Sequence, residues 1–125
     1  MPTPKPDKAA QGQWGEQVAT TFLQEKGYTL ITRNWRCKAG EIDIIMRDKD
    51  VLVFVEVRLR RKTMFGSGDE TVAWQKQQKL IRTAQWYMQS TNTFDMPVRF
   101  DVVAIQYASP EKYTINHIPH AFDVS

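Results

Sequence analysis

Hydrophobic residues recur along the chain with two different periods, and each change of period marks an element. Over residues 13–26, Gly15, Val18, Ala19, Phe22 and Leu23 fall at helical spacing and Gly27 follows as a stop, so the pattern predicts a first helix. Residues 28–35 are rich in β-branched and aromatic side chains and predict a strand. Gly40-Glu41-Ile42-Asp43-Ile44-Ile45-Met46 and Val51-Leu52-Val53-Phe54-Val55-Glu56-Val57-Arg58 predict two more, joined as a hairpin across the short polar break at 47–50. Ser67-Gly68-Asp69-Glu70 has the form of a capping box and predicts a second helix from near Asp69 to about Gln89, with Ala73, Leu80, Ile81, Ala84, Tyr87 and Met88 as its apolar stripe. Residues 98–105 and 112–118 predict two final strands. The order α-β-β-β-α-β-β is most economically packed as an α/β domain, one mixed sheet flanked by helices.

Charges interrupt this pattern where a buried strand should have none. The run from Val51 to Val55 reads as a strand covered on both faces. Yet Asp43, Glu56 and Arg58 lie inside the hairpin strands, and charge is placed there only when it is paired or binds a metal. Alternation puts Glu41, Asp43 and Ile45 on one face of their strand, and Glu56 and Arg58 on one face of the next. A hairpin loop with an even number of residues brings Asp43 and Glu56 to a common face; an odd loop separates them. An Asp48-Lys49 turn, or a loop of residues 47–50, pairs Asp43 with Phe54 and sets Glu56 diagonal to it. Two converging carboxylates suit a hard divalent cation such as Mg²⁺ or Mn²⁺, which needs only one or two of them besides substrate phosphate and water. Glu16 lies on the edge of the first helix's apolar face, and on position alone it either points inward or is a solvated first-turn glutamate. Lys76 falls within the stripe of the second helix and either snorkels outward or reaches an anionic site.

After Glu56 the chain turns strongly basic. Arg58, Arg60, Arg61 and Lys62 open a predicted loop closed by Gly66 and Gly68, and such a loop suits a phosphate backbone. Its alternative is a solvated charge run. Arg99 and Asp101 share a face and predict a structural ion pair, and His117 and His120 show no ligand spacing. The net charge of +3 and pI near 9.1 permit a nucleic-acid partner without demanding one. At 125 residues the chain makes one domain, expected over 13–125 with residues 1–12 as a disordered tail. Its first residues have no apolar core and are not a secretory signal, and no apolar run reaches membrane-spanning length. Cys37 is the sole cysteine, which fits a reducing cytoplasm and excludes an internal disulfide.

Asp43 followed by Glu56-Val57-Arg58 resembles the PD-(D/E)xK nuclease signature. Together with Gly15-Glu16, Gly40-Glu41-Ile42-Asp43, Phe54 to Arg60, Phe65-Gly66, Lys76 and Arg99 to Val103, the chain is similar to the YraN family of small bacterial proteins, from about Gln13 to the last strand. The resemblance implies a restriction-endonuclease-like fold close to archaeal Holliday-junction resolvases. It implies Glu16, Asp43 and Glu56 as metal ligands, and it implies activity on structured or branched DNA as a symmetric dimer. The nuclease pattern has Lys where this chain has Arg58, and arginine cannot act as a base, though it can clamp a phosphate. Lys76 is then the candidate for the missing amine. Three readings follow: a metal-dependent endonuclease, a non-catalytic DNA-binding module, or a protein-interaction domain with an internal ion-pair network.

Overall fold

Val51–Arg61 is the central strand of a five-stranded mixed sheet, and both helical layers pack against it. The computed structural model describes residues 8–62 and 72–123. Its elements are α1 (Lys8–Glu25), β1 (Thr29–Cys37), β2 (Gly40–Asp48), β3 (Val51–Arg61), α2 (Trp74–Thr91), β4 (Val98–Ser109) and β5 (Lys112–Ile118). The strands lie in sequence order; β3 and β4 run parallel, with α2 as their crossover, and the other neighbours are antiparallel. No helix among the described residues is long and apolar enough to cross a membrane.

Alternation along β3 divides the core in two. Val53 and Val55 pack with Ile44, Met46, Val103 and Ile105 against Ala19 and Leu23 of α1. Leu52 and Phe54 pack with Ile45, Phe100 and Val102 against Leu80, Ile81, Ala84, Tyr87 and Met88 of α2. Both faces of β3 are therefore covered, which is why its sequence is apolar without a break from Val51 to Val55.

Several boundaries differ from the sequence expectation. α1 starts at Lys8 rather than residue 13, so residues 8–12 of the expected tail are helical; Ala9, Ala10 and Gln11 are all good helix formers. α2 is described from Trp74, with Ala73 as an N-cap that makes no side-chain bond. The Ser67–Glu70 capping box, Phe65-Gly66 and the loop glycines lie outside the described residues. Ala73 is exposed, and its expected core place is taken by buried Val72. At the other end Asn92 adopts φ 56, the left-handed conformation that closes a helix, and Thr93 N–H bonds Met88 O at 2.9 Å. The basic stretch is not a loop through Arg61: β3 continues, and Arg58, Arg60 and Arg61 pair in register with Ala104, Gln106 and Tyr107 of β4. Alternation therefore splits the four cations. Arg58 and Arg60 share the face of Glu56, whereas Arg61 lies over the Tyr107 ring, 5.5 Å away, on the α1 side.

The expected Arg99–Asp101 pair is the centre of a larger network on the α1 side. Asp101 is buried and accepts Arg99 Nε at 2.8 Å and Nη2 at 3.1 Å, His117 Nε2 at 2.8 Å and the His120 N–H at 3.1 Å. Lys26 Nζ donates to His117 Nδ1 at 2.9 Å, so the two partners together select the neutral Nε2–H tautomer. Arg99 continues to Tyr28 OH at 2.5 Å and Asp48 at 3.3 Å, tying β4 to the ends of α1 and β2. Burial alone would raise the Asp101 pKa, but the hydrogen bonds from His117, Arg99 and His120 N–H hold it below the usual carboxylate range. A carboxyl with a lowered folded pKa stabilises above its unfolded pKa, and that stability is lost as pH falls through the folded value. Asp101→Asn leaves Arg99 with only the longer Asp48 contact as its carboxylate partner and is expected to cost about 3 kcal/mol by urea denaturation at pH 7. A loss below about 1 kcal/mol would show the network to be dispensable.

Candidate active site on the β2–β3 hairpin

The hairpin turn sets the site. Asp48 pairs with Val51, leaving Lys49 and Asp50 as a two-residue loop with Lys49 at φ 55. The loop is even, as a shared carboxylate face requires. Its register differs by two residues from the expected one: Ile45, not Asp43, faces Phe54. Extended by the same register, Asp43 stands opposite Glu56 rather than diagonal to it. The ladder itself stops at Ile44–Val55. Beyond that point the Asp43 side chain replaces the backbone, and its Oδ2 accepts the Val57 N–H at 2.9 Å. Ile42 packs into the same cluster as Ile45, so β2 departs from strict alternation at Asp43.

A solvent-open cleft of about 170 Å³ lies over this point, lined by Glu41, Asp43, Glu56, Lys76, Lys79 and Leu80. α2 supplies the last three, and its placement is fixed by Gly40. A Cβ at Gly40 would meet Thr83 Oγ1 at 2.9 Å and Lys79 Cε at 3.0 Å, and the residue has φ +152, so only glycine lets β2 begin this close to α2. Lys76 Nζ lies 2.5 Å from Glu56 Oε1. Of the two alternatives for Lys76, reaching an anion is the one found. Arg58 follows Glu56 on the same face and is half-buried, but it does not line the cleft.

Glu16 approaches from the other layer. Gly15 lies against Leu59 of β3, and Glu16 follows it with a mostly buried side chain. Its Oε1 is buried without a hydrogen bond; Arg33 Nη2 at 3.7 Å is beyond hydrogen-bond range. The set Glu16, Asp43 and Glu56 is thus not a ready-made cage. Among the described residues no three His, Cys, Asp or Glu side chains are grouped to hold a metal ion. The physical reason is competition, since Glu56 is held by Lys76 and Glu16 is drawn toward Arg33.

The electrostatics at Asp43 are nonetheless those of a carboxylate short of countercharge. Burial is the main force that raises Asp43, to about 7 from 3.8; the charge of Glu56 adds to it, the Val57 N–H opposes it, and Glu16 and Glu41 add smaller terms of the same sign. Asp101 in the same sheet is as buried as a side chain can be, yet its pKa is lowered by hydrogen-bond donors. Strongly perturbed carboxyls in clefts cluster at functional sites.

Glu41 and Lys79 are the cleft residues that the sequence reading passed over. Both signals were present: Glu41 lies two residues before Asp43 on a strand, and Lys79 one turn after Lys76 on a helix.

An acid whose folded pKa exceeds its unfolded one loses stability as pH rises between the two. For Asp43 that window runs from about 4 to about 7. Asp43→Asn removes the penalty and keeps an acceptor for Val57 N–H. It is expected to raise the Tm of metal-free protein at pH 8 by about 4 °C, a gain on the order of 1 kcal/mol, and to change it little at pH 5. An equal shift at both pH values would show that Asp43 does not titrate in this range.

Sequence comparison gives the chain its relatives. The uncharacterised protein family UPF0102 matches residues 15–105, a span that takes in every residue of the cleft. A UPF0102 protein of Caldanaerobacter subterraneus subsp. tengcongensis is 42% identical over 121 residues, covering 94% of this chain and 98% of that protein. One from Pseudomonas savastanoi pv. phaseolicola is 42% identical over 121 residues, covering 96% and 98%. The chain belongs to the UPF0102 family, the YraN proteins.

Proposed function

We propose that this protein is a metal-dependent endonuclease with a restriction-endonuclease-like fold, acting on structured or branched DNA. The observation that carries the reading is Asp43 and Glu56 lining one open cleft, with the proton affinity of Asp43 raised by burial and by the neighbouring charge. The residues fit a hard divalent cation. Asp43, Glu56 and the orphaned Glu16 oxygen offer only carboxylate donors, and their mutual repulsion is what a cation relieves. Mg²⁺ or Mn²⁺ would be held by Asp43 and Glu56, with Glu16 recruited from its place near Arg33, and would supply Lewis acidity toward a phosphodiester and an activated water.

The chain's own residues do the rest. Val57 N–H fixes the Asp43 carboxylate in orientation. Lys76 on Glu56 places an ammonium at the cleft, where a protonated amine can clamp a phosphate oxygen or donate to the leaving group. In this reading Lys76 supplies, from α2, the amine that the nuclease pattern carries on the strand at position 58. Arg58 acts only through its charge. Arg58 and Arg60, on the cleft's face of β3, serve as phosphate contacts, with Arg61 and Lys62 beyond them at the sheet's end.

The alternative of a non-catalytic DNA binder draws on Arg58 in the lysine's place. A cleavage assay on labelled duplex, branched and single-stranded DNA with Mg²⁺ or Mn²⁺ separates the two. The nuclease reading expects cleavage that is abolished by Asp43→Asn. Lys76→Ala and Arg58→Ala should each lower the rate by roughly 10²–10³, the loss typical of one preorganised contact, whereas Arg58→Lys preserves or raises it. The binder reading expects no cleavage by any variant, and tighter DNA binding by Asp43→Asn because an anion facing phosphate has been removed.

A further inference from the structure

The chain's exposed large hydrophobic side chains include Ile31, Trp74, Trp86, Phe94 and Tyr113, and three of these five lie on α2 or in the turn after it. Trp74 is 70% exposed and Trp86 49%. They are twelve residues apart in a helix, roughly 18 Å along its axis and about a third of a turn around it, at the two sides of a solvent-facing surface that holds the exposed Arg82 between them. The helix carries three cations, Lys76, Lys79 and Arg82, and no carboxylate in its eighteen residues. Lys76 and Lys79 line the carboxylate cleft; Arg82 is one turn beyond Lys79, and Trp86 one turn beyond Arg82.

We propose that the outer ridge of α2 is a stacking platform for unpaired bases of a nucleic-acid strand whose backbone runs along Lys79 and Arg82 into the cleft. This rests on the nucleic-acid reading of that cleft and deepens it by naming single-stranded segments as what the protein grips. A helix with cations and no anions suits a polyanion. An exposed tryptophan has no use for a duplex phosphate backbone but is a flat surface for a base of any sequence. An apolar protein partner would need a continuous apolar patch, whereas here the two rings are separated by Gln78 and Arg82.

The test needs no cleavage. The full-length protein is titrated in EDTA into a fluorescein-labelled oligo(dT) of about 12 nucleotides, within the usual range of single-strand sites, and into a blunt hairpin duplex with the same number of phosphates. Trp74→Ala and Trp86→Ala should each weaken oligo(dT) binding by roughly 5- to 150-fold, the range for one stacked base, and leave duplex binding within about twofold. Trp86→Phe should restore most of the loss. Arg82→Ala should flatten the salt dependence on oligo(dT) by about 0.7 in slope. No change on oligo(dT), or equal losses on both probes, overturns the platform. If that happens while Mg²⁺-dependent cleavage persists, the cleft's assignment stands alone. A selective loss without cleavage by any variant keeps the platform and removes the nuclease.

Discussion

The arrangement depends on one replacement in the β2–β3 ladder. Where the Ile44–Val55 pair ends, the Asp43 carboxylate takes the Val57 N–H that a regular strand would give to a backbone carbonyl. That bond holds a charged side chain at a point where burial and Glu56 both oppose its charge. It works only because the hairpin turn has two residues; a one-residue change would send Asp43 to the opposite face. The second constraint is Gly40, whose missing side chain lets α2 lie on the start of β2 and brings Lys76 and Lys79 over the carboxylates.

The same sheet treats a buried carboxylate and a half-buried one in opposite ways. On the α1 side Asp101 is met by Arg99, His117 and the His120 N–H, and the cluster ties β4 to β5 and to the ends of α1 and β2. On the α2 side Asp43 is left short of countercharge beside an open cleft. The first arrangement stabilises the fold. The second costs stability above the ordinary carboxylate range, and perturbed carboxyls in clefts cluster at functional sites.

The sheet and its two faces were legible because period and composition agree: β3 is apolar from Val51 to Val55 as a doubly covered strand, and the stripe of α2 from Leu80 to Met88 is the buried one. That Asp43 and Glu56 meet at one cleft was legible from parity, since any even loop gives a shared face; the register was not, because 47–50 is polar throughout and leaves the turn's position open. The basic run misled for a related reason. Charge suggested a loop, whereas strand pairing with β4 carries through Arg61 and splits the cations between faces. The Lys76–Glu56 contact could be raised only as an alternative, because helix and strand meet across a long separation that no local pattern encodes.

The central claim is that Asp43 and Glu56 together form a cation site governed by the proton on Asp43. Its most direct measurement is a calorimetric titration of Mn²⁺ into the native chain and into an Asp43→Asn, Glu56→Gln double variant, at pH 6 and at pH 8. The account predicts saturable binding by the native chain, tighter at pH 8 and accompanied by proton release at pH 6, since the ligand must be deprotonated. The double variant should show neither. Equal binding by both proteins, or native binding indifferent to pH across this window, would contradict it.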